Sequence, residues 1–406
     1  MTTAALPVDV AAVHAARDLL RDVVRTTPLE GSRWLAERVG GPVFLKCENL
    51  QRAGSFKIRG AYVRLAGLTA EERARGVVAA SAGNHAQGVA LAARLLGIRA
   101  TVLMPQGAPL PKVAATEAYG AEVRFSGHTV DEALAAALDH AVATGAVLVH
   151  PFDHPAVVAG QGTVGLEILE QCPDVRTVLV CTGGGGLVGG IALAVKAARP
   201  DIRVVGVQAE AAAAYPPSLA VGHPVTLESM ATMADGIAVG RPGDLTFALV
   251  SALVDEVVTV GEESLSRALL LCLERAKLVV EPAGVAAVAA LLDAPRAYEP
   301  PVVVVLSGGN VDPLLLLRLL RHGMAAAGRY LAFRVRLPDR PGALVRLLAA
   351  VAEVEANVVD VEHVRTDPRL HVDEVEVALQ VETRGPRHCD EVLAALRAAG
   401  HRVLFG

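Results

Sequence analysis

From Val43 to about Leu320, short valine-rich runs alternate with alanine-rich stretches of helical spacing. That rhythm leaves few architectures open. A strand that reads as a continuous apolar run must be covered on both faces, and helices between successive strands provide that cover in parallel sheets. Such runs occupy 76–81, 98–105, 121–126, 145–151, 176–181, 203–208 and 301–307, and helices are expected near 84–96, 112–119 and 130–144. The chain is 52% hydrophobic but only 3% aromatic, so Ala, Val and Leu must build the interior. At 406 residues it is too long for one simple core, and two or three lobes are expected.

The rhythm changes after the small-residue segment RHGMAAAGRY (321–330). Segments 330–337, 357–365 and 373–382 alternate apolar and polar residues, which is strand spacing. Helical spacing covers 343–354 and about 388–399, and a short strand follows. The order β-α-β-β-α-β predicts a ferredoxin-like sandwich of about 75 residues, the size of a small domain.

Several classes are disfavoured. The net charge is −5 and no basic block occurs, so nucleic acid is not an expected partner. Five scattered cysteines contain no C-x-x-C pair, which predicts reduced thiols and a cytoplasmic location. The first residues lack a basic start, so no signal peptide is expected. Thr177 to Val195 is uncharged and long enough to cross a bilayer, but six glycines interrupt it and a strand–loop–helix reading fits better. No membrane partner is expected.

Three strand ends carry glycine beside Ser, Thr or Asn. VLVCTGGGGLVGG (178–190) runs from an apolar strand through a glycine loop toward a helix, where backbone amides and the helix dipole favour an anion. No Lys-Ser or Lys-Thr pair follows, so it is not a Walker loop. Gly184, Gly186 and Gly189 also satisfy G-x-G-x-x-G, with Glu210 twenty-one residues beyond, as a dinucleotide site would. SAGNHAQG (81–88) places Ser81, Gly83 and Asn84 at a strand–helix junction suited to a carboxylate. Read alone, that segment is an ordinary helix cap on Ser81 or Asn84. SGGN (307–310) repeats the pattern after four valines. Ligands of open α/β sheets sit outside the carboxyl ends of strands, so the three ends together suggest one polar crevice for a phosphate-bearing ligand.

Lysine is scarce: five residues against thirty-three arginines. One of the five, Lys57, lies in GSFKIRGA (54–61), a turn flanked by Gly and Ser. Surrounded by apolar groups an ammonium readily loses its proton, whereas a guanidinium does not. A lysine, a phosphate cup and a carboxylate holder are what a pyridoxal phosphate enzyme requires.

These segments, with ADGIAV (234–239) and EPAG (281–284), come in the order found in serine/threonine dehydratases, and the stretch from about Thr27 to Leu320 resembles that family of fold-type II pyridoxal phosphate enzymes. The tail resembles an ACT regulatory domain, with DRPGAL (339–344) as its turn. The resemblance implies a two-lobed α/β catalytic domain over 1–322, its smaller lobe at about 50–155, a linker at 323–329 and an α+β ACT domain over 330–406. It implies that Lys57 carries pyridoxal 5'-phosphate as a Schiff base and acts as base at the substrate α-carbon. Gly183, Gly184, Gly185 and Gly186 would bind the phosphate, Asn84 the ring hydroxyl, and Ser307 would face the pyridine nitrogen. Ser81, Ala82, Gly83 and His85 would surround the substrate carboxylate, while Asp235, Gly236 and Glu281 would line the pocket.

The implied reaction is conversion of L-threonine to 2-oxobutanoate and ammonia, with L-serine a slower substrate. Branched-chain amino acids are the implied effectors, and a homodimer or homotetramer the implied assembly. A racemase of this family tends to carry serine where this chain has Ala82, which favours elimination. No metal is expected: Pro216 stands where a second oxygen ligand near Glu210 would be sought, and His150 and His154 of HPFDH lack a third partner. Serine dehydration and racemisation stay open as main activities. A nicotinamide-dependent dehydrogenase and a sensor with a decayed catalytic lobe are more distant alternatives.

Overall fold

The computed structural model describes residues 6–365 and 370–405. The chain forms two compact units, Met1–Pro313 and Leu314–Gly406. This division falls before the boundary expected at 322. The first part of the segment expected to be a linker, 323–326, extends the helix Pro313–Ala326, since alanine is the strongest helix former. The chain turns only at Gly328, whose φ of +63° suits glycine.

The first unit contains two sheets. A six-stranded sheet has the order Leu29–Gly31, Val43–Lys46, Val302–Val305, Thr177–Cys181, Arg203–Ala209, Glu256–Val260. Only its first pair is antiparallel. A four-stranded parallel sheet has the order Glu122–Phe125, Ala100–Met104, Val77–Ala80, Val147–Leu148. Val302–Val305 and Thr177–Cys181 are buried throughout, as covered parallel strands must be. The apolar window 177–195 is the strand Thr177–Cys181, a loop, and the start of the helix Gly186–Ala198. No helix among the described residues is long and apolar enough to cross a membrane.

Three helices position the site: Lys57–Ala66, Pro155–Gln171 and Gly186–Ala198. They meet at backbone distance through glycines. A Cβ on Gly160 would lie 2.6 Å from the Gly60 Cα, and one on Gly190 would lie 2.7 Å from the Gly162 nitrogen. Any larger side chain would push the helices apart.

Polar contacts fasten the first two of these helices. The fully buried Arg59 guanidinium donates two bonds of 2.8 Å to the Glu48 carboxylate and one of 2.6 Å to Glu167. Lys46 Nζ donates to Glu167 at 2.6 Å, to Gln171 Oε1 at 2.7 Å and to the Thr27 carbonyl at 2.8 Å. Burial alone would raise the Glu48 carboxyl, but the Arg59 charge and hydrogen bonds hold it below its ordinary range. The same two carboxylates raise the Arg59 guanidinium against the effect of its burial.

The second unit has a four-stranded antiparallel sheet of order Asn357–Val364, Glu374–Glu382, Tyr330–Pro338, Val403–Leu404. Its helices are Ala343–Glu353 and Pro386–Ala398. The chain order is β-α-β-β-α-β, the ferredoxin-like arrangement.

Replacing Arg59 by Met would leave two buried carboxylates facing one ammonium. The expected loss is about 3–5 kcal/mol of stability, read as a lowered urea midpoint. An unchanged midpoint would mean that the network is not what seats the Lys57 helix.

Candidate active site

Lys57 does not sit in the turn that precedes it. The turn ends at Phe56, and Lys57 is the first residue of its helix. Ser55 makes a β-bridge with Gly308, and the Phe56 N–H donates to the Ser307 carbonyl at 3.2 Å. The lysine is thereby fixed beside SGGN. Its Nζ donates to the Pro151 carbonyl at 3.0 Å and lies 5.2 Å from the Phe56 ring centroid. Burial pushes the Lys57 ammonium down to about 8, with the Glu281 charge opposing. Roughly a fifth of the amine is therefore neutral near pH 7.4, far more than for an exposed lysine, and the neutral form is the state a nucleophile needs.

The glycine loop is built on the residue that follows Pro151. A Cβ on Gly184 would overlap the Phe152 ring, and one on Gly186 would lie 3.0 Å from the Phe152 Cβ. Gly185 has φ +94° and faces the Tyr215 hydroxyl with no room for a side chain. Gly183 packs on Ile237, where a Cβ would come within 3.0 Å. Two hydroxyls hold the loop from beneath: Thr246 donates to the Gly184 carbonyl at 2.6 Å and Tyr215 at 3.2 Å. Asp153 Oδ1 in turn accepts the Thr246 N–H at 3.0 Å.

SAGNHAQG departs from the cap reading. The helix Asn84–Leu96 is capped by Gly83, with no side-chain cap. Ser81 Oγ accepts the Gly83 N–H at 3.0 Å, so Ser81 shapes the loop. Asn84 instead donates to Glu281 and accepts from Asn310 Nδ2 at 2.8 Å. His85 Nε2 donates to the Val149 carbonyl at 2.8 Å, so its ring faces inward and only its backbone faces the loop. Burial, aided by the nearby Lys57 charge, lowers the His85 imidazole to about 3, so it is neutral. Ala82 presents a methyl group where a hydroxyl would be needed to donate a proton.

The carboxylates divide sharply. Glu281 is 2% exposed, and burial pushes its carboxyl up to about 7. Asp235 is half exposed and receives the buried Lys112 ammonium at 2.8 Å. Gly236 is small by necessity, since a Cβ would lie 2.9 Å from the Ala283 Cβ. Ser307 is buried at the end of its strand.

His150 and His154 serve local structure. His150 Nδ1 accepts the Asp153 N–H at 2.8 Å, and His154 Nδ1 accepts that of Ala156 at 3.1 Å, capping the helix Pro155–Gln171. Glu210 is exposed, and no group of three or more metal-ligating side chains converges among the described residues. Sequence reasoning missed Pro151, Phe152, Asp153, Tyr215 and Thr246 as supports. Only the unusual HPFDH run hinted at the first three.

One crevice thus holds a partly neutral lysine, a side-chain-free anion cup and an amide pinned between two partners. That set fits pyridoxal phosphate: the cup would take the phosphate, and the lysine would take the aldehyde. The fold and site define an enzyme built around that cofactor. Consistently, residues 20–308 match the pyridoxal-phosphate dependent enzyme family, and the chain belongs to it. It is 48% identical to L-threonine ammonia-lyase of Thermotoga maritima over 391 residues, 96% of this chain and 98% of that one. Its fold is similar to the processed form of threonine deaminase isoform 2 from Solanum lycopersicum, with TM-score 0.74 and 37% identity over 78% of this chain and 87% of that one. It is also similar to maize serine racemase, with TM-score 0.73 and 37% identity over 79% of this chain and 98% of that one. The family sets aside the nicotinamide reading of Gly184, Gly186 and Gly189.

Two outcomes are expected. Gly185→Ala forces a side chain into the left-handed region against Tyr215. It should cost about 1–3 kcal/mol of stability and release cofactor on dialysis; retention equal to wild type would remove the cup from its assigned place. For the cofactor-free protein, uptake of pyridoxal phosphate should accelerate roughly tenfold per pH unit below about 8 and level off above it, because only the neutral amine attacks. Stopped-flow absorbance measures this, and a flat profile between pH 6 and 9 would contradict the lowered Lys57 ammonium.

Proposed function

We propose that this chain converts L-threonine to 2-oxobutanoate and ammonia, with L-serine as a slower substrate. The observation that carries the reading is the adjacency of Pro151 and Phe152: one holds the Lys57 amine, and the other underlies the glycine loop. The aldehyde-binding and phosphate-binding groups are therefore set by consecutive residues.

Bound pyridoxal phosphate supplies the electron sink that makes the substrate α-proton removable. The residues of the chain do the rest. Lys57 moves that proton. The backbone of Gly183, Gly184, Gly185 and Gly186 would hold the phosphate. Asn84 would donate toward the ring hydroxyl. The Ser307 hydroxyl would be the partner of the ring nitrogen; a hydroxyl cannot fix a positive charge there as a carboxylate would. Ser81, Gly83 and His85 hold the substrate carboxylate, chiefly by backbone amides, and Asp235, Gly236 and Glu281 line the pocket. Ala82 offers no proton to the opposite face of the substrate, which favours elimination over racemisation.

The catalytic domain is assigned to residues 1–322 and the regulatory ACT domain to 330–406, in a homodimer or homotetramer. A cavity of about 390 Å³ in the second unit is lined by residues 337–345 with His363, Arg365 and Val375. It supports an amino-acid effector, with a branched aliphatic side chain as the leading class.

Two experiments test these assignments. Lys57→Ala should abolish both visible absorbance and keto-acid release while leaving the fold intact by circular dichroism; retention of either would sink the reading. Isoleucine or valine should shift threonine kinetics in the wild type, and Arg365→Ala should weaken that response about tenfold with basal turnover unchanged. An undiminished response would remove the effector from this cavity.

A further inference from the structure

SGGN contains one side chain to which neither the sequence reading nor the assignment above gives a role. The geometry points to Asn310 as a positioning residue that sets which way the Asn84 amide faces, and through it the donor offered to the cofactor's ring hydroxyl. This inference rests on the proposed pyridoxal phosphate site.

Both protons of Asn310 Nδ2 are committed. One goes to Asn84 Oδ1 at 2.8 Å and the other to the Ala53 carbonyl at 2.7 Å. Ala53 has φ +59°, a left-handed conformation unfavourable for alanine, and it lies four residues before Lys57. Gly54 follows with φ +68° and no space for a Cβ against the Asn310 carboxamide. The Gly309 N–H donates to the Gly54 carbonyl at 2.9 Å. Asn310 is therefore held on the turn that leads to Lys57, and it reaches from there to Asn84.

Asn84 is read from both ends. Its Oδ1 accepts from Asn310, and its Nδ2 donates one proton to Glu281. Rotating the amide by half a turn would set two donors against each other at Asn310 and two oxygens against each other at Glu281. The flip would lose both hydrogen bonds, so the observed orientation is enforced. In that orientation Nδ2 keeps a second proton, free to meet an oxygen acceptor in the crevice. Without Asn310 only Glu281 opposes the flip. Burial raises the Glu281 carboxyl to about 7, and a protonated carboxyl can itself donate, so it tolerates either orientation.

The test compares wild type, Asn84→Ala, Asn310→Asp, Asn310→Ala and the double variant Asn84→Ala/Asn310→Asp. Cofactor affinity is measured by fluorescence titration, and the absorption spectrum of the loaded protein is recorded. Asn310→Asp turns the donor into an acceptor and should reverse the Asn84 amide. The expected result is about a tenfold loss of cofactor affinity and a band shifted in the same direction as in Asn84→Ala. Asn310→Ala should fall between Asn310→Asp and wild type. Because Asn310 acts through Asn84, the double variant should stay within about twofold of Asn84→Ala. Should Asn310→Asp fail to fold by circular dichroism, Asn310→Ala carries the comparison. Folded Asn310 variants with wild-type affinity and spectrum would overturn the inference, as would Asn310 and Asn84 effects that multiply independently. A wild-type protein that takes up no cofactor would overturn the functional reading as well, so the two failures are distinct.

Discussion

The site depends on three helices that touch at their backbones. Gly60, Gly160, Gly162 and Gly190 leave no Cβ between the helices Lys57–Ala66, Pro155–Gln171 and Gly186–Ala198. Each close contact falls within about two turns of a helix N-terminus. The N-termini are therefore brought near one another, and they carry Lys57, the segment after Pro151, and the glycine loop. Close packing of this kind leaves no slack: a methyl group at any of the four glycines would displace a helix end, and with it a reacting group. The Arg59 network adds a second fastening, since Glu48, Arg59 and Glu167 come from three different segments. It sits two residues from Lys57 and seats the first turn of that helix.

The crevice above this base is electrostatically economical. Lys57 and Glu281 are both taken from water, and burial moves both toward neutrality: the amine down to about 8 and the carboxyl up to about 7. Their mutual attraction opposes part of each shift. A fully ionised pair would be a poor nucleophile beside a poor donor. A partly neutral pair leaves the amine able to attack, while the carboxyl still accepts from Asn84 Nδ2. Lys112, which faces the more exposed Asp235, keeps a compensating positive charge in the same pocket.

Much of this was legible in the sequence. The β–α rhythm located the parallel strands, and the helices at Asn84–Leu96 and Val130–Thr144 match their expected bounds. The glycine loops and Lys57 stand out because their local chemistry is unusual. The supports did not stand out, for a physical reason. Thr246 is sixty-two residues from Gly184, and Glu167 is 108 from Arg59. Partners so far apart leave no periodicity in any local window; only the folded chain pairs them. The strand expected over 145–151 pairs only at Val147–Leu148, because the chain leaves the sheet to carry Pro151 to Lys57. A proline carbonyl as the partner of a catalytic amine has no sequence signature. Small residues suit both a hinge and a helix, so the composition of 321–330 does not say where the helix Pro313–Ala326 ends.

Lysine scarcity illustrates the limit of composition. Four of the five lysines, Lys46, Lys57, Lys112 and Lys196, reach buried or partly buried positions, so rarity alone marks concealment more than catalysis. Their partners separate them. Lys46 fills its three donor positions with a carboxylate, an amide oxygen and a carbonyl, which anchors it as a cation. Lys112 and Lys196 face the carboxylates of Asp235 and Asp255. Lys57 meets one neutral carbonyl, and among the described residues no carboxylate lies within ion-pair distance of its amine. An ammonium so weakly compensated gives up its proton most readily. Of the buried lysines, the one least stabilised as a charge is the one equipped to act as an amine.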